Sequence, residues 1–261
     1  MTKTKALFFD IDGTLVSFKT HRIPQSAVDA IERAKAAGIK IFISTGRPVP
    51  FIINLGQISH LIDGYITTNG ALCIVGNEKF GCHNLLKDDA GKVIEGCRRF
   101  GRACVVVGTG HIAVFQRTRE VDEQFGANLG LKNFPFVSMD DVWKERLLQV
   151  SPFFTPEEEA QIVPHLKESI SARWSNFFTD ITHTGADKGR GLLTLCAHEG
   201  LDVSETIAFG DGGNDISILR RAGTGVAMGN AKDNVKAVAD YVTTSVDNDG
   251  ISRALAQLCG L

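Results

Sequence analysis

Several residue patterns are scarce in this sequence of 261 residues, and each shortage excludes a class of protein. The six cysteines form no Cys-x-x-Cys pair, and the seven histidines form no His-x-x-x-His or mixed Cys/His cluster. We therefore expect reduced core thiols and no zinc site, so that any bound metal must be held by oxygen ligands. There is no basic run, and 28 basic and 30 acidic residues give a net charge of −2, which argues against a nucleic-acid partner.

Long apolar runs are absent too. The longest fall far below the roughly 18 residues of a membrane-spanning helix, and Asp10 interrupts the apolar N-terminal segment before it could serve as the core of a signal peptide. We expect a cytoplasmic protein with no membrane partner. The 43% of hydrophobic residues are ample for a packed core, and the length suits one large domain or two smaller ones.

What the sequence does contain is a pair of acids at the end of an apolar segment. The run from Lys5 to Ile11 predicts a strand buried on both faces. It carries Asp10 near its end and is followed by Asp12 and the turn Gly13-Thr14. The carboxyl ends of strands in an open α/β sheet form the crevice where ligands bind, so both acids would project into a site. The alternative is an ordinary Asp-Gly turn, in which one acid caps the next element.

Alternating strands and helices in both halves of the chain predict a doubly wound α/β fold with a parallel sheet. Polar residues follow three of the strands, at Thr45-Gly46-Arg47, Asn69-Gly70 and Gly210-Asp211. The expected strands are 5–11, 39–44, 64–68, 206–209, 225–228 and an edge strand at 241–243, and the expected helices are 24–38, 187–199, 214–221, 232–239 and 251–258.

The middle of the chain has a different pattern, in which adjacent strands are joined by short turns. This predicts antiparallel pairing and an α+β insertion with its own sheet. The predicted division is a discontinuous core, 1–80 and 185–261, and an inserted α+β cap domain, 81–184. In the insertion the expected strands are 103–107, 112–116, 147–150, 172–174 and 177–182, and the expected helices are 87–100, 121–129 and 155–166.

Four motifs follow one another along the chain: Asp10-x-Asp12-Gly13-Thr14, Ser44-Thr45-Gly46-Arg47, Lys188, and Gly210-Asp211-Gly212-Gly213-Asn214-Asp215. In this order they resemble the motifs of the haloacid dehalogenase-like (HAD) phosphohydrolases. The last motif and the cap-sized gap before Lys188 resemble the Cof-type sugar-phosphatase branch of that superfamily. The resemblance covers the whole chain and implies a Rossmann-like core with an inserted cap.

Four carboxylates are expected to meet at the strand ends, and their mutual repulsion must be offset by a cation or a proton. Oxygen ligands without sulfur or imidazole favour Mg²⁺. The family pattern implies that Asp10 binds the metal through its carboxylate and Asp12 through its backbone carbonyl. It also implies that Asp211 binds directly, with Asp215 in support. The alternative is that Asp211 and Asp215 cap the following helix and complement its dipole.

The resemblance also implies roles in catalysis. Asp10 would be the nucleophile that forms an aspartyl-phosphate, and Asp12 would protonate the leaving alcohol and later deprotonate water. The alternatives for three of the binding residues are a solvated Lys188, a capping Asn214 and a surface Arg47. The expected phosphate- and substrate-binding residues are Thr45, Gly46, Arg47, Lys188 and Asn214.

The predicted function is Mg²⁺-dependent hydrolysis of small phosphorylated metabolites, above all sugar phosphates. A phosphomutase of the same superfamily is one alternative, because it shares the nucleophile and the acid-base aspartate. A phospho-accepting, receiver-like signalling module is another, although the insertion is expected to act as a lid that carries specificity. The oligomeric state is not predicted. Weaker candidates for substrate contacts, with an ordinary turn or sheet position as the alternative, are Asn69, Arg173, Trp174 and Asp180.

Overall fold

The strands of the described chain lie in two separate sheets. The structure is a computed structural model that describes residues 4–124, 134–173 and 175–261. The strands are β1 (Ala6–Phe9), β2 (Lys40–Ser44), β3 (Gly64–Thr67), β4 (Leu72–Val75), β5 (Glu78–Phe80), β6 (Cys104–Gly108), β7 (Ile112–Phe115), β8 (Leu147–Pro152), β9 (Ser169–Ala172), β10 (Asp180–His183), β11 (Thr206–Gly210), β12 (Thr224–Ala227) and β13 (Tyr241–Val242). The helices are α1 (Gln25–Ala36), α2 (Lys87–Phe100), α3 (Arg119–Glu123), α4 (Met139–Lys144), α5 (Pro156–Ile162), α6 (Lys188–Glu199), α7 (Ile216–Arg221), α8 (Asp233–Lys236) and α9 (Gly250–Cys259).

The first sheet is mainly parallel and has the strand that opens the chain near its centre. Its order is β13-β12-β11-β1-β2-β3-β4-β5, and every neighbouring pair from β13 to β3 is parallel. Side chains of a strand alternate between its two faces. Accordingly, Leu7 and Phe9 pack in a cluster with α1 and α9, whereas Ala6 and Phe8 pack in a cluster with α6 and α7. The predicted doubly wound α/β fold is therefore confirmed.

A hairpin that the sequence analysis did not predict completes this sheet. β4 pairs antiparallel with β3, and β5 pairs antiparallel with β4. The two-residue turn Gly76-Asn77 joins β4 to β5, with Gly76 at a φ of +55°. A glycine-containing pair between two extended runs is a hairpin signal. The strands, however, are only four and three residues long, so their alternation carries little periodicity.

The second sheet is antiparallel, as expected for the insertion. Its order is β7-β6-β8-β10-β9, and each neighbouring pair runs antiparallel. α2 has the predicted bounds, and it buries Val93 and Cys97 in a cluster that also contains Val106 of β6 and Val150 of β8. The insertion therefore has a hydrophobic core of its own.

The described residues form two compact units. The first unit consists of the described residues up to Arg47, with Ile52–Gly81 and Asp187–Leu261, and the second unit consists of those in Pro48–Phe51 and Cys82–Ala186. The assignment of these units to a catalytic core and a specificity cap stays a prediction. Among the described helices, none has both the length and the apolar character needed to cross a membrane.

The second unit differs from the sequence prediction at several places. The strand expected at 172–174 is wrong, because β9 has already ended at Ala172, and β10 begins only at Asp180. α3 begins before the expected helix 121–129, whose residues 125–129 lie outside the described residues, as does Trp174. α4 was not predicted, although the Ser138 hydroxyl caps it by accepting from a backbone N–H.

A buried carboxylate on α2 holds the start of β9. Asp89 is fully buried, and its oxygens accept hydrogen bonds from the backbone N–H groups of Lys167 and Glu168 at 2.9 and 3.0 Å. It also accepts from the Ser169 hydroxyl at 2.7 Å. A remote helix therefore sets where β9 begins, which explains why local periodicity misplaced this strand.

Removal of this carboxylate should destabilise the second unit. We expect Asp89→Ala to lower the free energy of unfolding of the second unit by about 3 kcal/mol, because a buried carboxylate that accepts from two backbone N–H groups and a hydroxyl is lost. Both tryptophans of the chain lie between residues 82 and 186, so tryptophan fluorescence in urea reports on this unit. The matched control is Asp88→Ala, since Asp88 is exposed and makes only surface ion pairs. Equal effects of the two substitutions would contradict the assignment.

Candidate active site

Adjacent parallel strands bring the motif residues of the first unit together. β1 lies between β2 and β11, so their carboxyl ends meet at one edge of the sheet. Asp10 follows β1, and its N–H still donates to the Phe209 carbonyl at 3.1 Å. Thr45 follows β2 and Asp211 follows β11. The strand-end rule thus places three separate motifs side by side.

Lys188 is fully buried between two carboxylates. Its ammonium group donates to Asp10 Oδ1 and to Asp215 Oδ1, each at 2.6 Å. Burial lowers the pKa of Lys188, but Asp10 and Asp215 outweigh burial and raise the pKa above its ordinary value. The alternative of a solvated lysine is therefore wrong, because the ammonium group is buried and paired with two carboxylates.

The start of α6 fixes the position of Lys188. Asp187 caps this helix by accepting from the Arg190 N–H at 2.8 Å, and Arg221 donates to the same carboxylate oxygen at 2.8 Å. Gly70 lies against the backbone here, since a Cβ on it would come within 2.1 Å of the Asp187 carbonyl oxygen, and its φ is +91°. Only glycine fits this contact.

Asp215 orders the loop of the last motif as well as binding Lys188. Its Oδ2 accepts from the backbone N–H groups of Asp211 and Gly212, at 3.0 and 2.9 Å. Asp215 therefore does cap backbone N–H groups, as the alternative predicts, and it also binds Lys188. The Asp211 carboxylate in turn accepts from the Thr14 hydroxyl at 3.0 Å, which ties the first motif to the last.

Three carboxylates of the site fit a metal ion. Asp10, Asp211 and Asp215 each offer an oxygen, and these oxygens lie within 4.8 Å of one another. Burial, and then repulsion by Asp215, raises the pKa of Asp10 well above its ordinary value despite Lys188. The same two causes raise the pKa of Asp211 to about 6. Such excess negative charge, with oxygen donors alone, suits a hard divalent cation.

The Asp12 side chain faces Arg47 and does not join that cluster. The guanidinium donates from Nε to Oδ2 and from Nη2 to Oδ1 of Asp12, both at 2.7 Å. Arg47 is only 9% exposed, so the surface alternative is wrong. The Arg47 N–H also donates to the Thr45 hydroxyl at 3.1 Å, so the second motif positions the arginine that holds Asp12.

Two side-chain amides from distant segments of the first unit are hydrogen-bonded to each other. Asn214 Nδ2 donates to Asn69 Oδ1 at 3.0 Å. Asn69 has a φ of +53° and follows Thr68 at +52°, a rare backbone conformation for a β-branched residue. Gly46 is adjacent, since a Cβ on it would lie 3.0 Å from Asn69 Oδ1. Substrate binding by these residues stays a prediction.

The candidates in the second unit have contacts within that unit. Arg173 donates to Glu159 Oε2 at 2.8 Å and to the Phe154 carbonyl at 2.8 Å. Asp180 is buried and accepts from the Ser151 hydroxyl at 2.7 Å. These contacts give both residues a structural role in the second unit. A role of either residue in substrate binding stays a prediction.

The sequence analysis missed Asn230, which follows β12. Its side chain donates to the Gly13 carbonyl and to Asp211, at 2.9 and 3.2 Å. The signal was present, because a polar residue at a strand end is the feature that singled out Asp10 and Asp211. The dipeptide Gly229-Asn230, however, also has the composition of an ordinary turn.

Comparison with known proteins gives matches over nearly the whole chain. Residues 7–255 match the family described as haloacid dehalogenase-like hydrolase. The solved structure of the HAD subclass IIB sugar phosphatase BT4131 is 46% identical, with a TM-score of 0.90, over 97% of this chain and 98% of that chain. The structure of BT1666, a HAD superfamily phosphatase from Bacteroides thetaiotaomicron, is 35% identical, with a TM-score of 0.85, over 98% and 95% of the two chains. Phosphoglycolate phosphatase of Methanobrevibacter smithii is 28% identical over 96% of each chain.

The raised pKa of Asp211 predicts how the stability of the metal-free protein depends on pH. The folded state holds this proton more tightly than the unfolded state, in which the pKa is near 3.8. The free energy of unfolding attributable to Asp211 should therefore fall as the pH rises from about 4 through about 6. Asp211→Asn removes this loss of stability at high pH, because asparagine does not ionise. The substitution keeps the hydrogen bond to Thr14, because the Thr14 hydroxyl can donate to the amide oxygen or accept from the amide nitrogen.

We expect metal-free Asp211→Asn to exceed the native protein in stability by about 3 kcal/mol well above pH 6, since the pKa rises from 3.8 to about 6 and each pKa unit corresponds to about 1.4 kcal/mol. Below pH 4 the two proteins should be nearly equal. Urea unfolding in EDTA across this range measures the difference. A difference that is independent of pH, or one that favours the native protein at high pH, would contradict the pKa assignment.

Proposed function

This chain belongs to the haloacid dehalogenase-like hydrolases and is a phosphoric monoester hydrolase, and from that premise we propose that it hydrolyses sugar phosphates in a Mg²⁺-dependent reaction through an aspartyl-phosphate. The observation that carries the proposal is the buried Lys188, which bonds Asp10 and Asp215 at 2.6 Å beside Asp211. This arrangement supports the proposal because it brings together a carboxylate suited to be the nucleophile, a buried lysine and three carboxylates whose oxygens suit a metal ion.

Asp10 supplies the nucleophile in this proposal. Lys188 bonds its Oδ1, so the other carboxylate oxygen is the candidate for attack on phosphorus. Attack forms the Asp10–phosphorus bond as the bond to the leaving alkoxide breaks, and Asp12 gives the alkoxide a proton. Water then attacks the phosphoenzyme, Asp12 takes a proton from it, and inorganic phosphate leaves as the Asp10 carboxylate reforms.

Asp10, Asp211 and Asp215 would hold the cation. Their oxygen-only donor set fits Mg²⁺, which commonly binds a few carboxylates together with waters and a substrate phosphate. The family pattern adds the backbone carbonyl of Asp12. When bound, Mg²⁺ would neutralise negative charge that develops on the transferring phosphoryl group.

Polar groups around Asp10 would bind the phosphate oxygens. The Thr45 hydroxyl and the Gly46 N–H lie at the end of the neighbouring strand, and the Lys188 ammonium supplies positive charge. Asn214 is placed by its bond to Asn69 and would add an amide donor. The sugar-phosphate class is supported by the similarity to a sugar phosphatase of subclass IIB.

Release of inorganic phosphate tests this function. With Mg²⁺, we expect the native chain to release phosphate from hexose and pentose phosphates, and we expect EDTA or Asp10→Asn to abolish release. Asp12→Asn should lower kcat by ~10²–10⁴, the usual contribution of an acid-base group. The panel also includes nucleotides, pyridoxal phosphate and phosphoglycolate. Asp29→Asn, at an exposed aspartate of α1, is the control and should retain full activity.

The outcomes separate the alternatives. If no compound releases phosphate, the phosphatase assignment fails. A phosphoenzyme that persists for minutes would favour the signalling module, and a requirement for a sugar bisphosphate would favour the mutase. Faster turnover of phosphoglycolate or a nucleotide than of every sugar phosphate would overturn the substrate class but not the reaction.

Arg47 holds the acid-base carboxylate in the proposed mechanism. Both oxygens of Asp12 receive hydrogen bonds from one planar guanidinium, a geometry that fixes the carboxylate more tightly than a lysine could. This is the ionised form of Asp12, so one of the two bonds gives way when Asp12 carries the proton that it donates in the first step. The expected role of Arg47 in substrate binding makes a different prediction. An arginine that bound the phosphate would matter equally for every phosphate ester, whereas one that positions the acid matters most for poor leaving groups.

Arg47→Lys should therefore lower kcat/KM for an alkyl phosphate such as a hexose phosphate by about 10- to 100-fold, a part of the contribution of general acid catalysis. For an aryl phosphate with an acidic leaving group, which needs no proton in the first step, kcat/KM should change little. Steady-state kinetics on both substrates measures this split. Equal losses on the two substrates would support phosphate binding by Arg47 instead.

A further inference from the structure

The side-chain amide of Asn230 connects three segments of the first unit. Its Nδ2 donates to the Gly13 carbonyl at 2.9 Å and to Asp211 Oδ2 at 3.2 Å. Its Oδ1 accepts from the Val246 N–H at 3.0 Å. The turn after β1, the loop after β11 and the loop after β13 therefore converge on one side chain, which follows β12.

These contacts fix which way the amide faces. The Val246 N–H can only donate, so the amide oxygen must lie on that side. The amide nitrogen then faces the Gly13 carbonyl and the Asp211 carboxylate, which can only accept there. A flipped amide would place two acceptors against its oxygen and two donors against each other.

The Asp211 carboxylate is consequently held at both of its oxygens. Thr14 donates to Oδ1 at 3.0 Å, and Asn230 donates to Oδ2. Both donors are neutral, so they restrict the rotation of the carboxylate without neutralising its charge. The Gly13 turn of the first motif lies close to this carboxylate, because a Cβ on Gly13 would lie 2.3 Å from Asp211 Oδ2.

We propose that Asn230 is a positioning residue that sets the affinity of the site for a divalent cation. It does so by fixing the Asp211 carboxylate and the Gly13 turn relative to Asp10 and Asp215. Groups that bond a metal-ligating side chain typically change metal affinity by about 10- to 100-fold when they are removed. The inference rests on the proposed function only in its use of a divalent cation at this cluster, and it does not depend on turnover.

A purely structural role is the competing account. The bond from Val246, which is itself buried, would stabilise the loop after β13 even if no cation bound. That account predicts a lower melting temperature of the metal-free protein and an unchanged cation affinity. Cation affinity is therefore the measurement that separates the two accounts.

The experiment measures binding of Mn²⁺ to the full-length, metal-free protein by electron paramagnetic resonance of the free ion. We expect Asn230→Ala to raise the Kd for Mn²⁺ by about 10- to 100-fold. The matched control is Asn248→Ala, because that amide lies in the loop after β13 and donates to the Ser245 hydroxyl. The control should bind Mn²⁺ like the native protein.

A second variant keeps the test decisive if Asn230→Ala does not fold. Asn230→Ser retains a polar group but is too short to reach both Gly13 and Asp211, so we expect the same direction of change. An Mn²⁺ affinity equal to that of the native protein in a folded variant would overturn the proposal. Failure of the phosphatase assignment would appear separately, as native protein that binds Mn²⁺ but hydrolyses no phosphate ester.

In active protein a further readout is available. The Mg²⁺ concentration for half-maximal activity should rise with Asn230→Ala by the same factor as the Kd for Mn²⁺. The KM for the phosphate ester at saturating Mg²⁺ should stay close to the native value. A change in that KM with no change in the Mg²⁺ requirement would assign Asn230 to substrate binding and overturn the proposal.

Discussion

The burial of the Lys188 ammonium is the constraint on which the rest of the site depends. A buried charge is costly unless it is paired and hydrogen-bonded, and here Asp10 and Asp215 both bond it at 2.6 Å. Two carboxylates on one cation leave an excess of negative charge, and Asp211 adds to it. The other groups that bond Asp211 and Asp215 are uncharged donors, which orient these carboxylates without neutralising their charge. The Thr14 hydroxyl, the Asn230 amide and two backbone N–H groups have this character.

The two acids of the first motif are held by different cations, which fits the different roles proposed for them. Asp10 bonds an ammonium that is buried deep in the unit, whereas Asp12 bonds a guanidinium that grips both of its oxygens. The two residues are separated only by Ile11, which packs into the core, so their side chains reach different partners. An aspartate that must attack phosphorus and one that must move a proton need different surroundings. The chain provides these surroundings from the start of α6 and from the end of β2.

The sequence predicted the strand ends that carry the candidate site where a strong pattern marked them. Asp10 and Asp211 follow apolar runs that could only be buried strands, so their position did not depend on side-chain detail. Asn230 also follows a strand, but the dipeptide Gly229-Asn230 is equally typical of an ordinary turn. The partners of Asn230 lie far away in the sequence. The start of β9 was misplaced for a related reason, since Asp89 on a distant helix fixes it. Contacts between remote segments leave no local periodicity, and they determine the details that the sequence did not reveal.

The same repulsion that makes the acid cluster suitable for a cation would also link cation binding to the ionisation of Asp10, the proposed nucleophile. Without a cation, burial and neighbouring carboxylates raise the pKa of Asp10 and of Asp211, so a proton is held more readily at both. A divalent cation at these oxygens favours the ionised forms, because ligands must be deprotonated to bind. The ionised form of Asp10 is also the one that can attack phosphorus. In the proposed mechanism, therefore, cation binding prepares the nucleophile as well as stabilising the phosphoryl group, and the residues that orient Asp211 contribute to both effects.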